Sequence, residues 1–116
     1  MPWTIIVSMN FSAAHFLKNY RNKCERVHGH NYKVVVHING DKLNKNGILY
    51  DFKEIKEYLK KIIPDHQHLN ELFLFNPTAE NLAYHFYYVL KKKYPIKKIE
   101  VWEDDTQGAV YEESSD

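Results

Sequence analysis

The chain has only one cysteine, so no internal disulfide can staple it, and Cys24 fits a reducing compartment. It has no apolar run near the ~18–20 residues that a membrane span needs, and its N-terminus has no signal-peptide layout. Together these point to a cytoplasmic protein. Charge of neither sign is in excess: 16 Lys and Arg face 15 Asp and Glu, a net charge of +1. That excludes the strongly basic surface of a general nucleic-acid binder. Glycine and proline are scarce, with four of each, and low-complexity tracts, linkers and internal repeats are missing. The 116 residues are therefore expected to form a single domain spanning 1–116.

Aromatics are plentiful instead: they make up 15% of the chain and include nine tyrosines. Rings of this kind favour strands and predict a substantial sheet. Residues 3–11 (WTIIVSMNF) read as a first strand, residues 17–27 as a basic loop, and residues 30–40 (HNYKVVVHING) as a second strand. The run Asp41–Gly47 is turn chemistry. Asp51 followed by Glu54 makes a capping-box-like start for a helix carrying Phe52, Ile55, Leu59 and Ile62 at helical spacing. Pro64 ends that helix. Residues 65–75 are irregular, and Asn76-Pro77 reads as the start of a second helix with the stripe Leu82, Phe86, Val89 and Leu90. Residues 97–103 alternate as a half-buried strand, 108–112 form a shorter one, and 113–116 are expected to fray. The order β-β-α-α-β-β predicts an α+β domain, with two helices on one face of a four-stranded, mainly antiparallel sheet. The open edges of such a sheet invite closure by oligomerisation.

His28-Gly29-His30 leads into the second strand. With the period of two of extended backbone, both imidazoles share a face, and the intervening glycine leaves room between them. Imidazole suits zinc, and three protein ligands with one open position is the catalytic pattern. Antiparallel pairing of the first two strands would bring His15, just beyond the first, beside His28 and His30. H-x-H is also what two solvated histidines on a sheet look like, and His66 and His68 repeat that spacing. His37 and His85 read as surface or packing residues.

Cys24 lies four residues before His28 among Arg21, Lys23 and Arg26, cations that favour its thiolate. A thiolate there is a nucleophile, a base or a fourth zinc ligand, and the last would close the site. In Asp65-His66 a carboxylate adjoins an imidazole whose tautomer and basicity it can set. Glu103 ends the third long strand. Each of these residues also reads as ordinary loop or strand-end polarity.

Taken in order, F-S-A-A-H (11–15), C-E-R-V-H-G-H (24–30), D-H-Q-H-L-N (65–70), N-P-T-A-E-N-L-A (76–83) and V-W-E (101–103) resemble the 6-pyruvoyl- and 6-carboxy-tetrahydropterin synthases along nearly the whole chain. The resemblance implies a tunnelling fold: three subunits join their sheets into a barrel, two trimers stack as a homohexamer, and active sites lie between subunits. It implies Zn2+ held by His15, His28 and His30, Cys24 as general base, and Asp65 with His66 as proton relay. Glu103 would anchor the pterin ring, with Thr78 and Glu80 helping to close the pocket. The implied substrate is 7,8-dihydroneopterin triphosphate, with Lys18, Arg21, Lys23 and Arg26 as candidates to meet its phosphates.

The short Cys24–His28 gap is closer to the 6-carboxy branch, which makes a queuosine or deazapurine precursor, than to the 6-pyruvoyl branch. Glu25 is a departure. Relatives with glutamate near this position cleave the side chain to 6-hydroxymethyl-7,8-dihydropterin for folate synthesis, so Glu25 is a second candidate base. A non-catalytic zinc- or pterin-binding module, with Cys24 closing the metal site, is the alternative of a different class. Iron in place of zinc is compatible with three histidines.

Overall fold

A computed structural model describes residues 1–18 and 26–114. Two long strands dominate it, β1 (Trp3–His15) and β2 (His28–Gly40), each 13 residues long. They pair antiparallel in one unbroken register from Trp3 opposite Gly40 to His15 opposite His28. Helix α1 (Phe52–Ile62) follows, then a two-residue strand β3 (Gln67–His68), one turn of helix α2 (Leu69–Leu72), helix α3 (Ala79–Lys91), and strands β4 (Ile96–Trp102) and β5 (Gly108–Glu112). The sheet order is β3-β1-β2-β4-β5, antiparallel throughout except for β3 on β1. This is the expected α+β architecture with its four antiparallel strands, the last of them the shorter one expected. The added β3 comes from the stretch read as irregular. It forms because Ala13 and Ala14 offer backbone partners to Gln67 and His68, a cause that local sequence does not carry.

The alternation of the strands sets the layers. Val7, Phe11 and Ala13 of β1, Tyr32, Val34, Val36 and Ile38 of β2, and Ile99 and Val101 of β4 are buried beneath the helices. Helix α1 adds Ile55 and Leu59, and α3 adds Leu82, Ala83, Phe86, Tyr87 and Leu90. Full burial of each Val, Leu, Ile or Phe among them favours folding by roughly 1.5–3 kcal/mol. Tyr87 takes the buried place expected of Val89, which is only half-buried.

The caps refine the sequence reading. Asp51 caps α1 by accepting from Lys53 N at 2.9 Å, and the helix closes before Pro64. Helix α3 starts at Ala79, with Thr78 as its cap accepting from Asn81 N at 3.0 Å, and not at Asn76-Pro77. The side chain of Asn76 is committed elsewhere: its amide accepts from Lys18 N at 2.8 Å and donates to Lys18 O at 3.3 Å. In the turn before α1, Gly47 has φ near 80°, the left-handed conformation that glycine tolerates. Among the described residues, no helix is long and apolar enough to cross a membrane.

Candidate metal centre

The hairpin register builds the site. β1 runs on past Phe11 to His15, four residues beyond its expected end, and β2 begins at His28. His15 therefore stands directly opposite His28, and His30 stands opposite Ala13. Alternation puts all three imidazoles on the helix-covered face, next to Tyr32. The rings meet nearly edge to face, with centroids 4.7, 5.0 and 4.8 Å apart. One ligand nitrogen from each falls within 4.8 Å of the others. Among the described residues, this trio is the only such cluster of three or more; His66 and His68 are not part of it.

The hydrogen bonds behind the rings fix which nitrogens face inward. His15 Nδ1 donates to the Pro77 carbonyl at 2.7 Å, and His28 Nδ1 donates to the Arg26 carbonyl at 3.0 Å. With those protons spoken for, both Nε2 atoms present lone pairs to each other across 3.1 Å. Two lone pairs at that distance repel unless a cation lies between them. For a tetrahedral ion with bonds of ~2.0–2.1 Å the ligand–ligand edge is about 3.3 Å, close to what the pair shows. Carbonyls that orient ligating imidazoles through their far nitrogen are a usual feature of protein metal sites. His15 is fully buried, and burial holds its imidazole below the ordinary value, so it stays neutral as a ligand must. The donor set thus fits zinc.

Glu103, one residue past β4, closes the other side. Its Oε2 lies 3.5 Å from His15 Nε2 and 3.6 Å from His30 Nε2. Its Oε1 accepts from Gln107 Nε2 at 3.0 Å, and its N–H donates to Gln107 O at 3.0 Å. Thr78 and Glu80 sit at the start of α3, directly after the Pro77 carbonyl that holds His15. The hydroxyl of Thr78 is used in capping, while Glu80 is exposed.

Asp65 and His66 are placed differently. Asp65 Oδ1 accepts from Ser12 N at 2.8 Å, and His66 N donates to Ser12 O at 2.6 Å, which pins both residues to the outer edge of β1. The two side chains approach at 3.5 Å and are largely open to solvent. They help line a cleft of about 650 Å³ with Asn10, Asn31, Lys33 and Trp102, on the sheet face away from the helices. Neither makes a hydrogen bond or ion pair with the histidine trio among the described residues. His66 has φ near 57°, unusual for a side-chain-bearing residue and a form of strain that concentrates at functional positions. Cys24 and Glu25, with Arg21 and Lys23, lie outside the described residues.

The remaining histidines have structural partners. His37 is buried and paired with Glu100 Oε2 at 2.5 Å, and Glu100 also accepts from Trp102 Nε1 at 2.9 Å. His85 packs against Phe73 and Phe75. Gly29 is not forced by space within the chain, since a Cβ there would meet only Ala13 O at 3.6 Å, an ordinary contact.

Three contributors were missed in the sequence: the Pro77 carbonyl, Gln107 and Tyr32. Tyr32 could have been found, because it continues the two-residue period of His28 and His30. Its ring lies 5.4 Å from that of His30 and is stacked on Phe11 at 4.9 Å. Among the described residues its hydroxyl is buried without a hydrogen-bond partner, and burial, aided by the charge of Glu103, pushes the phenol well above its usual range. An orphaned buried hydroxyl costs about 1–3 kcal/mol. Tyr32→Phe is therefore expected to raise the stability of the metal-free protein by about 1 kcal/mol, read as a higher urea midpoint at unchanged slope. A lower midpoint would mean that the hydroxyl has a partner.

Comparison with known proteins agrees with this fold and site. The profile of the 6-pyruvoyl tetrahydropterin synthase family matches residues 4–114. The 6-carboxy-5,6,7,8-tetrahydropterin synthase of Synechocystis sp. is 33% identical over 119 residues, covering 94% of this chain and 92% of its own. The 6-pyruvoyl tetrahydropterin synthase of Caenorhabditis elegans superposes with a TM-score of 0.82 at 24% identity, over 97% of this chain and 96% of that one. The Plasmodium vivax 6-pyruvoyltetrahydropterin synthase, solved with its catalytic glutamate changed to cysteine, shares the fold at a TM-score of 0.66 and 16% identity, over 94% and 96% of the two chains. A tunnelling-fold sheet, a histidine trio able to hold a metal ion and a family match along almost the entire chain lead to one assignment: the chain belongs to the 6-pyruvoyl tetrahydropterin synthase family.

Proposed function

We propose that this protein is a zinc-dependent lyase that converts 7,8-dihydroneopterin triphosphate and water to 6-carboxy-5,6,7,8-tetrahydropterin, with loss of triphosphate and of the two outer side-chain carbons as acetaldehyde. The observation that carries the reading is the set of three imidazoles that each bring a ring nitrogen within 4.8 Å of the others, with the Nε2 atoms of His15 and His28 facing each other at 3.1 Å. The 6-carboxy product is favoured by the short Cys24–His28 spacing and by the Synechocystis relative.

His15, His28 and His30 would hold the ion. When bound, it supplies Lewis acidity toward the hydroxyl-bearing side chain of the substrate and stabilises developing negative charge on oxygen. The protein supplies the rest. Cys24, four residues before His28, removes the carbinol proton as thiolate, and His66, oriented by Asp65, returns a proton. Glu103 accepts from the amino and ring N–H groups of the pterin, and Thr78 and Glu80 close the pocket at the start of α3. Lys18, Arg21, Lys23 and Arg26 are the cations available to the triphosphate.

The reading includes assembly. Asp65 and His66 open mainly on the sheet face away from the trio, and although His66 shares a second cleft of about 560 Å³ with His30, neither residue bonds to the trio among the described residues, which favours a site completed by a neighbouring subunit. Among the described residues the outer edge of β1 is paired only along residues 12–14, which leaves the edge of residues 3–11 to take a strand. A homohexamer built as a dimer of trimers brings the relay pair of one subunit to the trio of the next, with the active sites between subunits.

A second reading rests on Glu25. The Plasmodium vivax relative has a catalytic glutamate, and a carboxylate base beside the trio would direct cleavage to 6-hydroxymethyl-7,8-dihydropterin. One experiment separates the two. Zinc-loaded protein is incubated with 7,8-dihydroneopterin triphosphate, and the pterins are identified by mass spectrometry for the parent, Cys24→Ala and Glu25→Ala. The expected result is a 6-carboxy product whose rate falls ~10²–10⁴-fold in Cys24→Ala and holds in Glu25→Ala, the size of a lost general base. A 6-pyruvoyl product lost with Cys24 would place the enzyme on the other synthase branch. A 6-hydroxymethyl product lost with Glu25 would move it to folate chemistry. Substrate binding without turnover in every form would leave a pterin-binding module.

A further inference from the structure

We propose that Glu103 is a displaceable fourth metal ligand, which closes the histidine site in the free protein and yields its place when substrate enters. This rests on the reading of His15, His28 and His30 as the metal ligands.

Position is the first argument. Carboxylates that support ligating histidines from behind bond to the nitrogen facing away from the metal. Here those far nitrogens of His15 and His28 are taken by the carbonyls of Pro77 and Arg26. Glu103 Oε2 instead faces the inward nitrogen of His15, 3.5 Å from its Nε2, and lies 3.6 Å from His30 Nε2. Those separations lie near the ~3.3 Å edge of a tetrahedron built on zinc–nitrogen and zinc–oxygen bonds. The carboxylate oxygen is therefore placed as one more corner of the polyhedron.

Chemistry is the second. His15 Nε2 has no proton to offer while His15 Nδ1 donates to Pro77, so the contact with Glu103 is one lone pair facing another. Without a cation that arrangement is repulsive. With one, each of the facing atoms becomes a ligand. Net charge agrees, because three neutral imidazoles and one carboxylate leave a divalent ion at +1.

Aim is the third. Glu103 is half-buried, and Gln107, in the turn between β4 and β5, donates its side-chain amide to the other carboxylate oxygen while its backbone carbonyl accepts from the Glu103 N–H. That clamp points Oε2 at the trio. A carboxylate held by a single amide can rotate, and the same group is then free to accept from the pterin ring. The residue thereby couples ring binding to opening of a coordination position for the side-chain oxygens.

The test uses the full chain loaded with Co2+ in place of zinc and follows its visible absorption and azide binding. In the parent, the carboxylate competes with azide. Glu103→Ala is expected to bind azide at least about ten-fold more tightly and to bind Co2+ at least about ten-fold more weakly, at the scale by which residues around metal ligands alter affinity. Gln107→Leu should shift both values the same way by less, and it carries the test if Glu103→Ala fails to fold. Unchanged azide and Co2+ affinities in both variants would overturn the proposal. So would a thiolate-to-cobalt charge-transfer band in the parent that disappears in Cys24→Ala, which would make Cys24 the fourth ligand. If His30→Ala binds Co2+ as tightly as the parent, the trio reading itself fails and takes this inference with it.

Discussion

His30→Ala is expected to weaken zinc binding by more than the ~100-fold that losing a residue one layer behind the ligands costs, and to reduce pterin turnover to background. His30 is the better choice than His15 for this test. His15 is wholly buried and holds the Pro77 carbonyl at 2.7 Å, so its loss would also disturb the start of α3. His30 is half-buried, and its only polar contact among the described residues is with Glu103. The metal-free stability of His30→Ala should therefore fall by no more than about 1 kcal/mol, the centre of the range for point substitutions, because the ring is half-buried. Calorimetric zinc titration and urea unfolding of the stripped protein read the two quantities separately. Equal zinc affinity in parent and variant would remove His30 from the site. A large loss of metal-free stability would mean that the ring has a structural role.

Mixing two inactive variants should restore activity. His30→Ala is expected to disable the proposed metal site and to leave the proposed relay pair intact. His66→Ala leaves the metal site intact and is expected to slow turnover by ~10²–10⁴-fold, the contribution of a positioned acid or base. If each active site takes its trio from one subunit and Asp65–His66 from the next, random co-assembly gives about a quarter of sites with both halves intact. Co-refolded protein should then recover about a quarter of the parent rate, where each variant alone shows almost none. Absence of any recovery, with mixed oligomers demonstrated by differential tagging, would place all the machinery within one chain. The geometry behind this expectation is the pinning of Asp65 and His66 to Ser12, on the outer edge of β1 and toward the face away from the trio.

How much of this could be read from the sequence differs from residue to residue. The facing of His28 and His30 was legible because a strand has a strict period of two. The approach of His15 was legible in outline from the order of two long strands. The full extent of β1 was not, because Ala13 and Ala14 are weak strand formers whose conformation is fixed by pairing with Gly29 and His30. The two residues of β3 were illegible for the same reason. The start of α3 was misplaced by two residues: Asn76-Pro77 has the right chemistry for a cap, but Asn76 is bound to the backbone of Lys18 and the role passes to Thr78. Glu103 was found as a strand-end carboxylate. Its aim was hidden, because it depends on Gln107 across a turn and on nitrogens about 75–90 residues away in the chain, a tertiary arrangement that propensity does not encode.

The decisive measurement is turnover of 7,8-dihydroneopterin triphosphate by chelator-stripped protein as zinc is returned stepwise. The prediction is no product without metal, activity rising linearly to a plateau at one zinc per chain, and no rescue of His30→Ala at the same zinc level. Full activity in the stripped protein, or rescue of His30→Ala at that level, would contradict a zinc ion held by His15, His28 and His30 as the centre of the chemistry.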